Sequence, residues 1–150
     1  MNKKQHKQLL FQVMNEIGII QQLVTTEFNR RLPENLHVSH FSVINHLVRL
    51  GDGRTPHQLS SAFQITRATM TNTLTKLSGR GFIEIRSNPE DGRSKLVYLT
   101  DEGRAFRDRA VEAVDPYLDL MDREFGIERM QAMLPTLQEL RAFLDDNRSE

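Results

Sequence analysis

Residues 55–100 change their hydrophobic period once, and few folds accommodate that change. In "TPHQLSSAFQITRATMTNTLTKLSGRGF" the apolar residues Leu59, Ala62 and Phe63, then Met70, Leu74 and Leu77, recur at steps of three and four, the period of a helix face. From Phe82 the period falls to two. "FIEIRS" sets Ile83 and Ile85 on one side and Glu84 and Arg86 on the other, and "SKLVYLT" aligns Val97 with Leu99. The turn formers Asn88-Pro89 and Asp91-Gly92 lie between these runs, so the segment is predicted to fold as two short helices followed at once by a β-hairpin.

The flanks are helical by the same test. Leu9, Val13, Ile17, Ile20, Val24 and Phe28 mark a long amphipathic helix from about Gln5 to Arg31, which Pro33 ends. Leu10, Ile19 and Leu23 widen its stripe beyond what one contact face needs. Ser39 reads as the N-cap of a second helix, with Phe41, Ile44, Leu47, Val48 and Leu50 inward and "GDG" at 51–53 as its stop. Thr55 caps the third helix, with Pro56 at its first position, and Thr66 caps the fourth, which Gly79 and Gly81 close. Thr100 opens a fifth, with Phe106, Val111, Val114, Met121 and Phe125 as its stripe; Pro116 predicts a kink or break there. A last helix runs from about Ile127, with Pro135 shifting its start or bending it. The expectation is a mainly α chain with a small β-hairpin, an α+β fold. Residues 37–100 form a central lobe, and 1–36 and 101–150 form flanking helices.

Composition narrows the function. Cys 0 removes disulfides, thiolate metal sites and thiol redox chemistry. No run approaches the roughly 18 apolar residues of a membrane span, and "MNKKQHKQLL" lacks the apolar block of a signal peptide. A cytoplasmic protein without a membrane partner is expected. The chain has no Gly-rich phosphate loop in a strand–helix context, no G-x-S-x-G and no H-E-x-x-H, so it is not expected to be an enzyme or to need a cofactor. The net charge of zero hides a segregation. Residues 54–100 hold seven basic side chains against three acidic, while residues 101–150 hold seven against thirteen. A locally positive module is what a phosphate backbone attracts.

The fourth helix carries the sharper clue. Its outward positions, Arg67, Ala68, Thr69, Thr71, Asn72, Thr75 and Lys76, contain no carboxylate. Arginine can address guanine, asparagine can pair with adenine, and alanine or threonine methyls can touch thymine. Helix, helix and hairpin in this order, with Arg93 at the hairpin tip, make a winged helix-turn-helix pattern whose second helix enters the major groove. A winged helix serving only as a protein-interaction module is the alternative; it predicts an apolar or acidic face instead.

"DGRSKLVYLTDEG" and "LSSAFQITRATMTNTLTKLSGRGFI" resemble the wing and the recognition helix of the MarR family of bacterial transcriptional regulators, and the resemblance spans essentially the whole chain. It implies a homodimer, assembled by the terminal helices, that binds a pseudo-palindromic operator on double-stranded DNA, typically as a repressor. It implies that Arg93 enters the minor groove and that Asp91 holds it through an ion pair. Thr66 and Lys95 join the residues expected at the DNA. Asn72 departs from the family, where many members carry arginine.

Broad apolar stripes at both chain ends support the dimer, with Leu9, Leu10, Val13, Leu134, Leu137, Leu140 and Leu144 as interface candidates. His37, His40, His46 and His57 are read as capping or core residues rather than metal ligands. His40, with Met14, Ile17, Phe41 and Ile44, is the candidate lining of a small-molecule effector pocket.

Overall fold

The computed structural model describes residues 1–148. In chain order they form α1 (Lys3–Arg31), α2 (Val38–Leu50), α3 (Pro56–Ala62), α4 (Arg67–Gly79), β1 (Ile83–Ser87), β2 (Lys95–Leu99), α5 (Asp101–Glu124) and α6 (Ile127–Asp146). The chain divides into two compact units, Met1–Ala113 and the residues from Val114 onward.

In the first unit the core is built from Leu36, Val43, Ile44, Leu47, Leu59, Met70, Leu77, Val97 and Phe106, all fully buried. Phe82 stacks on Phe106 with ring centroids 4.8 Å apart. Two of these, Met70 and Leu77, with the neighbouring Leu74, are the expected inner face of α4. The start of α5 is pressed against this core. Thr100 donates its hydroxyl to the Gly81 carbonyl at 2.6 Å and accepts the Gly103 N–H at 3.0 Å, opening the helix. A Cβ on Gly103 would lie 2.1 Å from the Phe82 carbonyl oxygen, so only glycine lets the first turn of α5 approach so closely.

The two strands pair antiparallel from Ile83↔Leu99 at the base to Ser87↔Lys95 at the tip. Gly53 and Arg54 extend the hairpin by one bridge: the Gly53 N–H donates to the Val97 carbonyl and the Val97 N–H to the Arg54 carbonyl, both at 2.9 Å. That bridge explains why Val97 is buried while its partner Ile85 is 40% exposed. Ile85 was expected inward beside Ile83, but it lies on the strand of the ribbon that no described residue pairs with on its other edge, while the Gly53–Arg54 segment flanks Val97.

Three local expectations need correction. The N-cap of α2 is His37, not Ser39; its N–H donates to His40 Nδ1 at 3.0 Å, closing the first turn from inside the helix. Within α2, Val43 joins Ile44 and Leu47 in the core, whereas Phe41 and Val48 are half-buried and Leu50 is exposed. Helix α5 is unbroken across Pro116, and Pro135 lies inside α6. A proline removes one N–H, and a helix survives it where the orphaned carbonyl four residues back can reach water; Glu112 is exposed.

Each unit leaves apolar helix surface uncovered. In the first, α1 has no buried residue although it carries Leu9, Leu10, Phe11, Val13, Ile20 and Leu23. In the second, α6 has none either, and Leu134, Leu137 and Phe143 are among its exposed side chains.

Candidate nucleic-acid interface

The corner between α3 and α4 is fixed by caps at both helix starts. Thr55 accepts the Gln58 N–H and Gln58 reaches back to the Thr55 N–H, a reciprocal box behind Pro56. The chain then reverses through Gln64, in the left-handed region at φ 57°, and Thr66 Oγ1 caps α4 by accepting the Thr69 N–H at 3.1 Å. With Met70, Thr73, Leu74 and Leu77 turned inward, the helix has one outward face. Thr66, Arg67, Ala68, Thr69, Thr71, Asn72, Thr75 and Lys76 are all exposed on it, as the sequence pattern predicts.

The threonines are not equivalent. Thr73 is buried and donates its hydroxyl to the Thr69 carbonyl at 3.1 Å, so it serves the core. Thr71 donates to the Arg67 carbonyl at 2.9 Å, which turns its methyl and oxygen lone pairs, not its proton, toward a ligand. Thr66 and Thr69 share a hydroxyl contact of 2.9 Å at the helix start.

The wing tip is stapled by short polar contacts. Asn88 Nδ2 donates to Ser94 Oγ at 2.9 Å, the Glu90 N–H donates to Asn88 Oδ1 at 3.0 Å, and the Ser94 N–H donates to the Asp91 carbonyl at 3.1 Å. Asp91 Oδ1 accepts the backbone N–H of Arg93 at 3.0 Å. The expected ion pair between Asp91 and the Arg93 guanidinium is therefore replaced by an Asx turn, because the carboxylate finds a donor two residues on before any side chain. Farther down the ribbon Arg86 pairs with Glu84 at 3.0 Å and lies 4.2 Å over the Tyr98 ring. This contact holds the Glu84 carboxyl below its usual range.

Between helix and wing lies a groove of about 350 Å³. Arg67 and Thr71 supply one wall and Arg93, Ser94 and Lys95 the other, while Thr55, Pro56 and His57 close the end at the start of α3. Four of the expected DNA residues thus come together, and no carboxylate lines the space. His57 and Ser94 were not foreseen. The Arg67 guanidinium donates to His57 Nδ1 at 3.2 Å, a contact between residues ten apart that no periodicity displays. Asn72, Thr75 and Lys76 continue the exposed face outside this groove.

The histidines divide by surroundings. Burial, then the charges of Lys76, His37 and Arg80, push the His40 imidazole below its ordinary pKa. His46 is lowered by burial and by Arg54 and Arg49, and its ring tilts against Phe63 at 5.2 Å. Among the described residues no three His, Asp or Glu side chains are grouped to hold a metal ion. Of the candidate effector residues, Ile44 lies wholly within the core and His40, Phe41 and Ile17 are half-buried. Met14 lies instead beside Lys7, Leu10 and Phe11 around a shallow depression on α1. Leu9, Leu10, Val13, Leu134, Leu137 and Leu144 are exposed and Leu140 half-buried.

Comparison with known proteins places this geometry. A sequence model of the MarR family matches residues 34–94, which span α2 to the wing tip. The transcriptional regulator BldR of Sulfolobus solfataricus superposes with a TM-score of 0.81 at 25% identity, over 95% of this chain and 99% of BldR. Residues 34–94 carry the MarR-family match, and the fold of nearly the whole chain is similar to that of solved transcriptional regulators. An uncharacterised HTH-type transcriptional regulator of Bacillus subtilis, YdgJ, is similar to this chain at 28% identity over 83 residues. That is 55% of the chain, and the match spans about half of YdgJ. A mutant Escherichia coli MarR, solved in complex with operator DNA, has the same fold at 22% identity, with a TM-score of 0.72 over 85% of this chain and 94% of that one. The architecture shared with these proteins is a winged helix-turn-helix. Among the described residues no helix is long and apolar enough to cross a membrane.

Proposed function

We propose that the chain acts in the cytoplasm as a homodimeric repressor on a pseudo-palindromic operator. In each protomer α4 lies in the major groove, with Arg67, Thr69, Thr71, Asn72 and Lys76 toward the bases and backbone, and Arg93 reaches the adjacent minor groove. The observation that carries this reading is the groove shared by Arg67, Thr71, Arg93 and Lys95, which is basic and free of carboxylate. A narrow minor groove concentrates negative potential and favours an inserted arginine. A mutant E. coli MarR of the same fold was solved in complex with operator DNA, which supports DNA as the ligand.

The dimer is supported by the uncovered apolar faces of α1 and α6, each costly to leave in water. Two linked reading heads raise affinity without any new contact in either half-site. Repression needs nothing beyond occupancy of the site. An effector, in the same reading, binds beside His40 and Phe41 and disfavours the spacing of the heads that fits DNA.

Selection from a random duplex library tests the reading. The expected product is an inverted repeat whose half-sites lie about 10 base pairs apart, or a multiple of that. Recovery of the input pool without enrichment overturns sequence-specific recognition.

A further inference from the structure

We propose that His57 is a positioning residue for base readout. It holds the Arg67 guanidinium at the mouth of the groove between α4 and the wing, and so sets the preference that the first residue of the recognition helix delivers. The proposal rests on the DNA-reading role above and adds to it a residue and a mechanism.

Arg67 begins α4, so its side chain has no earlier helical turn to lean on. An exposed arginine in that position samples many rotamers and gives up that freedom when it docks. Here Nη2 lies 3.2 Å from His57 Nδ1. A guanidinium can only donate, so in this contact the imidazole Nδ1 is the acceptor. One of five guanidinium N–H groups is used, and the rest of the fork stays available for a guanine edge.

The backbone of His57 is itself well held. It follows Pro56 at the start of α3, inside the turn locked by the Thr55–Gln58 box, and its carbonyl accepts the hydroxyl of buried Ser60 at 3.0 Å. The choice of side chain also suits the site. Arginines are usually oriented by carboxylates, but a carboxylate here would repel the phosphates that Arg93 and Lys95 are placed to attract. An imidazole lone pair orients the guanidinium without adding negative charge to the groove.

The test uses the full-length protein and a duplex obtained from a random library by selection with the unaltered protein. Binding of the parent, His57→Asn, His57→Ala and Arg67→Ala is measured on that duplex and on a complete set of its single base-pair substitutions, at fixed salt. His57→Asn is expected to keep the parent's preferences, because its amide oxygen can replace Nδ1 as acceptor. His57→Ala is expected to lose about tenfold in discrimination at one base pair per half-site, the same pair at which Arg67→Ala loses it, with the other pairs unchanged. Unaltered discrimination in His57→Ala, or an equal loss at every pair in both His57 variants, overturns the positioning role while leaving DNA recognition intact. Failure of the unaltered protein to select any motif overturns DNA recognition itself, and this role with it.

Discussion

The carboxylate of Asp91 accepts the backbone N–H of Arg93 at 3.0 Å, so the acid shapes the wing's backbone and leaves the guanidinium free for a ligand. An asparagine can accept the same hydrogen bond. Asp91→Asn should therefore bind the selected duplex within about twofold of the parent, while Asp91→Ala should weaken it by roughly three- to tenfold, the worth of one ordinary hydrogen bond. Fluorescence anisotropy distinguishes the two; if Asn behaves like Ala, the negative charge matters and the backbone brace does not.

Gly103 faces the Phe82 carbonyl oxygen so closely that any Cβ would overlap it, with Leu99 Cδ1 only 2.9 Å away on another side. The clash is with backbone and cannot be relieved by a rotamer change. Gly103→Ala should cost about 2 kcal/mol or more, read as a lower urea midpoint. A midpoint equal to the parent's would contradict the packing of α5 on the wing root.

The helices and hairpin were legible because each element states its own period and caps. Met70, Leu74 and Leu77 mark the buried side of α4, Thr55 and Thr66 cap as their residue types suggest, and the two runs around 88–94 pair as a ribbon. What was not legible arises from contacts between elements. Ile85 alternates like a core residue but is 40% exposed on the unflanked strand, opposite a Val97 that the Gly53–Arg54 segment helps to cover. His57 reads as a capping or core histidine but is exposed and meets Arg67 where α3 and α4 form their corner, and the use Asp91 makes of its carboxylate depends on the turn it sits in. Pro116, expected to kink or break α5, does not break it, because a helix tolerates one orphaned carbonyl at an exposed position.

Burial, aided by Lys76, His37 and Arg80, lowers the pKa of His40 in the folded protein, and its Nδ1 accepts the His37 N–H at the start of α2. The unfolded chain then binds this proton more tightly, so the contribution is complete above the unfolded-state value of about 6.5 and is lost as pH falls from there toward the folded-state value. His40→Asn keeps an acceptor that does not titrate. Its urea stability should fall less steeply than the parent's between about pH 7 and pH 5. His46 is lowered in the same direction and contributes equally to both proteins, so an identical slope in the two would remove His40 as a source.

Val13 on α1 and Leu137 on α6 are exposed apolar residues in separate units. A charge buried without a partner is strongly unfavourable at an apolar interface. At micromolar concentration the parent should scatter light as twice the mass of one chain, and Val13→Glu and Leu137→Glu should each shift it toward the single mass. A parent that is monomeric there contradicts the dimer.

The central claim is that helix and wing read DNA together, and Arg93 is the wing's reach. Equilibrium binding of Arg93→Ala to the selected duplex at physiological salt tests it most directly, with circular dichroism melting as the control for folding. The expected result is a loss of about tenfold or more in affinity with an unchanged melt, in line with one inserted, charge-assisted contact per half-site. An affinity equal to the parent's under those conditions would contradict the account.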